Sequence, residues 1–185
     1  MEDLRKVLQR CREHGISLNP KKSFFCVTKG KLIGHIVSQE GIKIDPDKVE
    51  AIQRLNFLVN KIGVKSFFGQ VNFLRRFVLD FAETSKHIVD MMKGSPNFKW
   101  NEAGKRAFQD IKTAIANAPV LCHPNYKKNF IIYCYASEHT LSVILMQEND
   151  EGIQAPIAFM SVPLKNHELK YSQIEKKHFC SGKSS

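Results

Sequence analysis

The chain has 185 residues, of which 43% are hydrophobic, and carries a formal net charge of +10. This length and composition allow a buried core in one large or two small domains. No apolar run is long enough to cross a bilayer and the amino terminus is a charged helical pattern, so we expect a cytoplasmic or nuclear protein without membrane contact.

The positive charge is unevenly distributed. Residues 1–118 hold 21 Lys and Arg against 12 Asp and Glu, whereas residues 119–185 hold 7 against 6. The first part is therefore the predicted polyanion-binding part. A generally basic protein without such a role would show the same net charge.

The cysteines and histidines predict no metal site. The five cysteines form no Cys-x-x-Cys pair, which disfavours both a disulfide framework and structural zinc. The close pairs Cys11/His14 and Cys122/His123 each lack a second pair at zinc-finger spacing. We therefore expect reduced thiols and no resident metal.

The first predicted elements are a short helix and a β-hairpin. Apolar residues from Leu4 to Cys11 recur at i, i+3, i+4 and i+7, and Gly15 can end this helix. Residues 23–27 and 31–38 are rich in Phe, Val and Ile and flank the turn signal 28–30. This pattern indicates a hairpin.

Four helices are predicted next. Asp45-Pro46-Asp47 is a strong start signal for a helix that continues to Arg54. Residues 64–78 show a wide apolar face, and further helices are expected over 84–93 and 102–117. Together they predict a small helical bundle.

The pattern changes after Pro119, where strands replace helices. Residues 130–136, 141–147 and 157–161 each have strand character, which favours an antiparallel meander. Ser172 to Glu175 has the form of a capping box and should open a last helix.

Several segments in the first two thirds of the chain resemble the reverse transcriptases of Gypsy-type LTR retrotransposons. Their order and spacing both fit that family. The segments are Leu32 to Ser38, Gly41 to Val49, Phe67 to Phe77, Phe98 to Trp100 and Ala118 to Leu121.

The remainder of the chain resembles the start of the ribonuclease H domain that follows in the same polyproteins. The matching segments are Phe130 to Ser137, Leu141 to Gln147, Pro156 to Phe159 and Tyr171 to Lys176. The resemblance implies an α+β fold in three parts. Residues 1–44 would be a palm remnant with a primer-grip-like hairpin, residues 45–118 a thumb/connection-like helical region, and residues 119–185 a truncated ribonuclease H-like three-stranded sheet with one helix.

The resemblance also implies a set of nucleic-acid contacts. The hairpin at 31–38 would correspond to the primer grip, with Ile33 and Gly34 at its centre. A glycine there permits close approach of nucleic acid, although a simple hairpin kink would need it equally. The best candidates for phosphate contacts are Lys61, Lys65, Arg75 and Arg76, for each of which solvated surface charge is an equal alternative. Aromatic residues at 67, 68, 73 and 77 are expected in the core rather than as stacking platforms.

The catalytic carboxylates of the family are missing from this sequence. The parent enzymes use Mg²⁺ held by acidic residues, yet the chain contains no Asp-Asp pair for polymerisation. Tyr135 stands where the ribonuclease H domain carries its first Asp, and Lys177 stands where its helix carries a Glu. A phenol is a poor ligand for a hard cation at neutral pH. We therefore expect a non-enzyme without a cofactor.

Two functions remain open at this point. The leading hypothesis is a non-catalytic Pol fragment that binds RNA–DNA hybrid or duplex DNA; its parent would carry out RNA-directed DNA synthesis and RNA strand hydrolysis. The alternative is a domesticated or accidental fragment that acts only in protein–protein contacts or has no function. Complementation by another Pol-derived chain that contains a palm is a minor third option.

Overall fold

Two antiparallel three-stranded sheets, separated along the chain by helices, form the protein, which confirms the predicted α+β class. The computed structural model describes residues 2–58, 60–93, 98–165, 167–172 and 175–176. None of the helices within these ranges is long and apolar enough to cross a membrane.

The first part of the chain contains one helix and the first sheet. Helix α1 spans Glu2–Glu13, as the apolar spacing predicted, and none of its residues is buried. Strands β1 (Lys29–Leu32), β2 (His35–Ser38) and β3 (Gly41–Ile44) pair in that order. Ile36 and Ile44 of this sheet are buried.

A hairpin is present within residues 31–38, with its turn at the central positions that the resemblance gave, but the turn that the pattern predicted at 28–30 was wrong. Residues 23–27 are not a strand, and the turn lies at Ile33 and Gly34 rather than at 28–30. Both turn residues adopt left-handed backbone angles, which make a two-residue turn possible there. Pattern reasoning missed this because Ile ordinarily favours a strand over a left-handed turn.

Four helical segments follow the sheet. Helix α2 (Pro46–Gln53) begins as predicted, with the Asp45 carboxylate accepting from the Asp47 N–H at 3.2 Å. Helix α3 (Lys61–Val71) ends earlier than expected and continues as a 3-10 helix, Asn72–Phe77. Helices α4 (Phe81–Lys93) and α5 (Glu102–Ala116) complete the group.

One main core joins the helices to the first sheet. The apolar stripe of α5 is buried in it, as its spacing predicted. Fourteen buried side chains form this core within the described residues: Ile44, Ile52, Val64, Phe67, Val71, Leu74, Phe77, Val78, Ile88, Ala107, Phe108, Ile111, Ile115 and Leu121.

The second sheet is the predicted antiparallel meander. Strands β4 (Ile131–Ala136), β5 (Thr140–Glu148) and β6 (Gln154–Pro163) pair in chain order. The predicted capping box is also present: the Ser172 N–H donates to Glu175 at 2.7 Å, and the Glu175 N–H donates to Ser172 Oγ at 3.3 Å. The rest of the helix predicted to follow lies outside the described residues.

The second sheet packs against the helices and connects to the first sheet. Ile42 and Leu121 exchange two backbone hydrogen bonds, of 2.7 and 2.8 Å, and Phe159 packs against the main core. These contacts cross the predicted boundaries at residues 44 and 118. The division of the chain into three parts stays a prediction.

Candidate nucleic-acid interface

The turn between β1 and β2 places an apolar side chain at its tip. Ile33 and Gly34 have φ values of 48° and 74°, the left-handed pair of a type I′ turn. A β-branched residue is strained in this conformation, and Ile33 is 78% exposed, so burial does not compensate for the strain. Strain of this kind is often retained at functional sites.

The turn lies directly against the 3-10 helix. A Cβ atom added to Gly34 would lie 3.0 Å from Cε2 of Phe73, so the backbone here approaches an aromatic ring closely. The His35 ring stacks on Phe77 with centroids 5.2 Å apart and meets Phe73 edge-on at 5.6 Å. His35 is thus a packing residue.

The geometry of the 3-10 helix determines where its two arginines lie. Residues three apart eclipse in such a helix, at a separation of roughly 6 Å along its axis. Leu74 and Phe77 share the buried side. Arg76 therefore lies on the same side as Phe73, whose ring meets the hairpin at Gly34, whereas Arg75 lies on the third side. Both arginines are exposed.

The two candidate lysines lie along α3. Lys61 and Lys65 are four residues apart and so occupy one flank of the helix, outside the buried stripe of Val64, Phe67 and Val71. Lys65 is exposed and Lys61 is half-buried. They lie roughly two to three helical turns before Phe73. The lysines therefore precede Arg76 in the chain, and Arg76 is the candidate cation that shares a side of its helix with Phe73.

The candidate stacking aromatics belong to the core, as predicted. Phe67 and Phe77 are buried, and Phe68 and Phe73 are partly buried against the same cluster. The Phe67 ring lies 4.8 Å from that of Phe108. These rings are therefore committed to packing rather than to bases.

A lysine that sequence reasoning missed holds the hairpin to α2. Lys31 Nζ lies 2.6 Å from an Asp47 carboxylate oxygen and 3.1 Å from one of Asp45. These hydrogen bonds, that from Asp47 first, raise the pKa of Lys31. Nothing in the spacing of the sequence indicated this pairing. Lys31 therefore supports the hairpin rather than adding a free cation to it.

In the second sheet, Tyr135 lies on the edge strand β4. Its side chain is 63% exposed. The turn that follows Ala136 contacts α4 through Glu83, whose carboxylate accepts hydrogen bonds from Ser137 and Thr140. Sequence reasoning missed Glu83, because no motif marks it. Lys177, the second degenerate position, lies outside the described residues.

Comparison with known proteins finds similar sequences and structures. Residues 100–181 match the RNase H-like domain found in reverse transcriptase. The retrovirus-related Pol polyprotein from transposon 412 of Drosophila melanogaster is 30% identical over 175 residues, which cover 95% of this chain and 14% of that polyprotein.

Two solved structures show the same fold. The foamy viral protease-reverse transcriptase in complex with RNA/DNA hybrid superposes with a TM-score of 0.78 at 25% identity, over 99% of this chain and 25% of that chain. Its dRH form in complex with ds DNA gives 0.77 at 26% identity, over 98% and 32%.

The protein is a relative of retroelement Pol polyproteins. It corresponds to their reverse transcriptase and RNase H-like region, as the sequence motifs suggested, and spans about a seventh of the length of the curated relative described above. Assignment to the Gypsy type stays a prediction.

The residues of this RNase H-like domain do not fit the Mg²⁺ ions that the parent enzymes use. By the resemblance, the phenol of Tyr135 stands where the family has a carboxylate. Glu83, the acidic side chain next to the turn after β4, is already engaged with two hydroxyl groups. Within the described part of the chain, no three acidic, His or Cys side chains form a group that could hold a metal ion.

Proposed function

We propose that the protein binds RNA–DNA hybrid or duplex DNA without cleaving it. The observation that carries this proposal is the position of the Ile33–Gly34 turn on the 3-10 helix, where Arg76 lies on the same side. An exposed apolar tip, packed on a helix side that also carries a cation, suits the sugar and phosphate edge of a duplex. The two foamy viral relatives were solved with hybrid and with ds DNA.

The distribution of charge supports the same surface. Residues 1–118 carry a net charge of +9, and Lys61, Lys65 and Arg75 add cations to that of Arg76. Each cation that neutralises a phosphate releases counterions, so binding should weaken steeply as the salt concentration rises. We infer non-specific binding, because phosphate contacts carry no sequence information.

The absence of cleavage rests on the acidic positions. Tyr135 replaces the first carboxylate of the ribonuclease H site, and by resemblance Lys177 places a cation at the second. The sequence also contains no Asp-Asp pair for a polymerase metal clamp. Two divalent ions have no adequate set of ligands among these residues.

Neutralising the candidate cations tests the proposal. The variant with Lys61, Lys65, Arg75 and Arg76 all changed to Gln should lose most of its affinity for a labelled hybrid. A control with Lys127→Gln and Lys170→Gln, two exposed cations of the RNase H-like part, should bind as the wild type does. An equal loss of log affinity per neutralised charge in the two variants would favour bulk charge over this surface.

Exposed apolar side chains on and near helix α1 favour protein contact as the second candidate function. Helix α1 buries none of its residues, and its apolar face leaves Val7 and Leu8 exposed; Phe24 is 78% exposed. Apolar surface of this kind often marks a protein interface. Another Pol-derived chain would be one such partner. Salt-insensitive, weak binding to nucleic acid would support this candidate over the first.

A further inference from the structure

A carboxylate at the start of α4 accepts two hydrogen bonds from the second sheet. Ser137 Oγ and Thr140 Oγ1 each donate to the same oxygen of Glu83, and both distances are 2.8 Å. Thr140 is only 3% exposed, so its hydroxyl group has little access to water. Without Glu83, two hydroxyl groups would lose their acceptor at a partly buried position, which is costly.

A second hydrogen bond joins the same two elements. The Ala82 N–H is one of the helix-start donors that have no partner within the helix. It donates to Ser161 Oγ of β6 at 2.8 Å. The first turn of α4 is therefore fastened to both β6 and the turn after β4.

The turn at 137–140 is also fixed by hydrogen bonds within itself and to residues that follow the second sheet. Ser137 Oγ accepts from the N–H groups of His139 and Thr140, at 3.1 and 3.0 Å. The His139 carbonyl accepts from the Leu164 N–H at 2.8 Å, and the Glu138 carbonyl accepts from Lys176 Nζ at 3.2 Å. A displacement of Glu83 would thus be passed on to β4 rather than absorbed by a loose loop.

We infer that Glu83 is a positioning residue that couples the helical part to the RNase H-like sheet. It fixes the strand that carries Tyr135 relative to α4, so that the sheet and the helices move as one body. Neither the family resemblance nor any sequence motif had assigned this role to Glu83. The coupling also does not require that the protein bind nucleic acid, so either proposal can fail alone.

Hydrogen exchange on the full chain tests this coupling. In Glu83→Ala, the amides of 137–142 and 159–162 should exchange about ten to a hundred times faster, as expected for the loss of hydrogen bonds to a charged group. Amides of α3 and α5 should keep their rates. Glu83→Gln retains one acceptor oxygen, so its exchange rates in these two segments should fall between those of the wild type and those of Glu83→Ala.

A matched control comes from α5. Glu102 is also an acidic residue in the first turn of its helix, but its carboxylate is at the surface, 2.7 Å from Lys105 Nζ. Glu102→Ala should leave exchange in the second sheet unchanged. If Glu83→Ala raises exchange uniformly along the chain, or not at all, Glu83 is not a positioning residue.

A second variant keeps the test informative if Glu83→Ala fails to fold. Ser161→Ala removes the partner of the Ala82 N–H while leaving the carboxylate in place. It should accelerate exchange in the same two segments, by a smaller factor. Unchanged exchange in Ser161→Ala and Glu83→Gln would overturn the inference.

Discussion

A Cβ atom built on Gly41 would lie 2.3 Å from the carbonyl oxygen of Leu121. No side chain can occupy that space unless the backbone moves. Gly41 also has φ of 130°, a conformation that disfavours other residues. This close approach allows Ile42 to pair with Leu121, which joins the first sheet to the segment that leads into the second.

We predict that Gly41→Ala destabilises the fold by at least about 2 kcal/mol, through strain and loss of this pairing. Urea unfolding measures the effect. Gly69→Ala is the control, because a Cβ there meets nothing within 4 Å and the residue lies in helix α3. Gly69→Ala should stabilise by about 0.5–1 kcal/mol. Equal effects in the two variants would contradict the role of the close approach.

Ile33→Asn should separate stability from binding. Asn tolerates the left-handed conformation, so the hairpin should gain about 1 kcal/mol in free energy of unfolding. Affinity for the hybrid should fall, because the apolar tip is lost. Ile62 is equally exposed, at 78%, but lies in α3, and Ile62→Asn should show neither change. A loss of stability in Ile33→Asn would mean that the turn is not strained.

The Glu83 junction should weaken in acid. Burial opposes ionisation of Glu83, but hydrogen bonds from Thr140 and Ser137, with the charges of His139 and Lys86, outweigh it and lower the pKa below 4.5. The ionised carboxylate therefore contributes its full stability above 4.5, and this is lost as pH falls through the lowered value.

The free energy of unfolding should thus differ between wild type and Glu83→Gln by more at about pH 7 than at about pH 3. Chemical denaturation at the two pH values checks this. His139 and Lys86 are present in both proteins, so the comparison isolates the carboxylate of Glu83. A difference that does not depend on pH would show that the charge of Glu83 contributes nothing.

The part after Pro119 should be the less stable half. Its own buried cluster consists of Ala136, Leu141 and Leu164, against fourteen buried side chains in the main core of the described residues. Native-state hydrogen exchange should show stronger protection in α3 and α5 than in β4 to β6. Stronger protection in the second sheet would overturn this expectation.

Local signals in the sequence predicted most of the secondary structure. The Asp45 cap, the stripe of α5, the three strands after Phe130 and the capping box at Ser172 each depend on residues close in sequence. Such short-range patterns can be recognised without knowledge of the fold.

Contacts between distant residues were not predictable in this way. The left-handed Ile33 is tolerated because the turn is held against Phe73, forty residues away in sequence. The contact between Glu83 and Ser137 depends on the packing of the second sheet on α4. The candidate binding residues were named from the sequence. The side of the helix on which Arg76 lies follows from the 3-10 geometry, which the sequence did not predict.

Binding of a labelled RNA–DNA hybrid over a salt series, with magnesium present, tests the central claim most directly. We expect the logarithm of the association constant to fall linearly with the logarithm of salt concentration, and the magnitude of this slope to be smaller by about one in Arg76→Gln. The RNA strand should stay intact. Absence of binding even at low salt, or magnesium-dependent cleavage of the RNA strand, would contradict the account of a binding protein without catalysis.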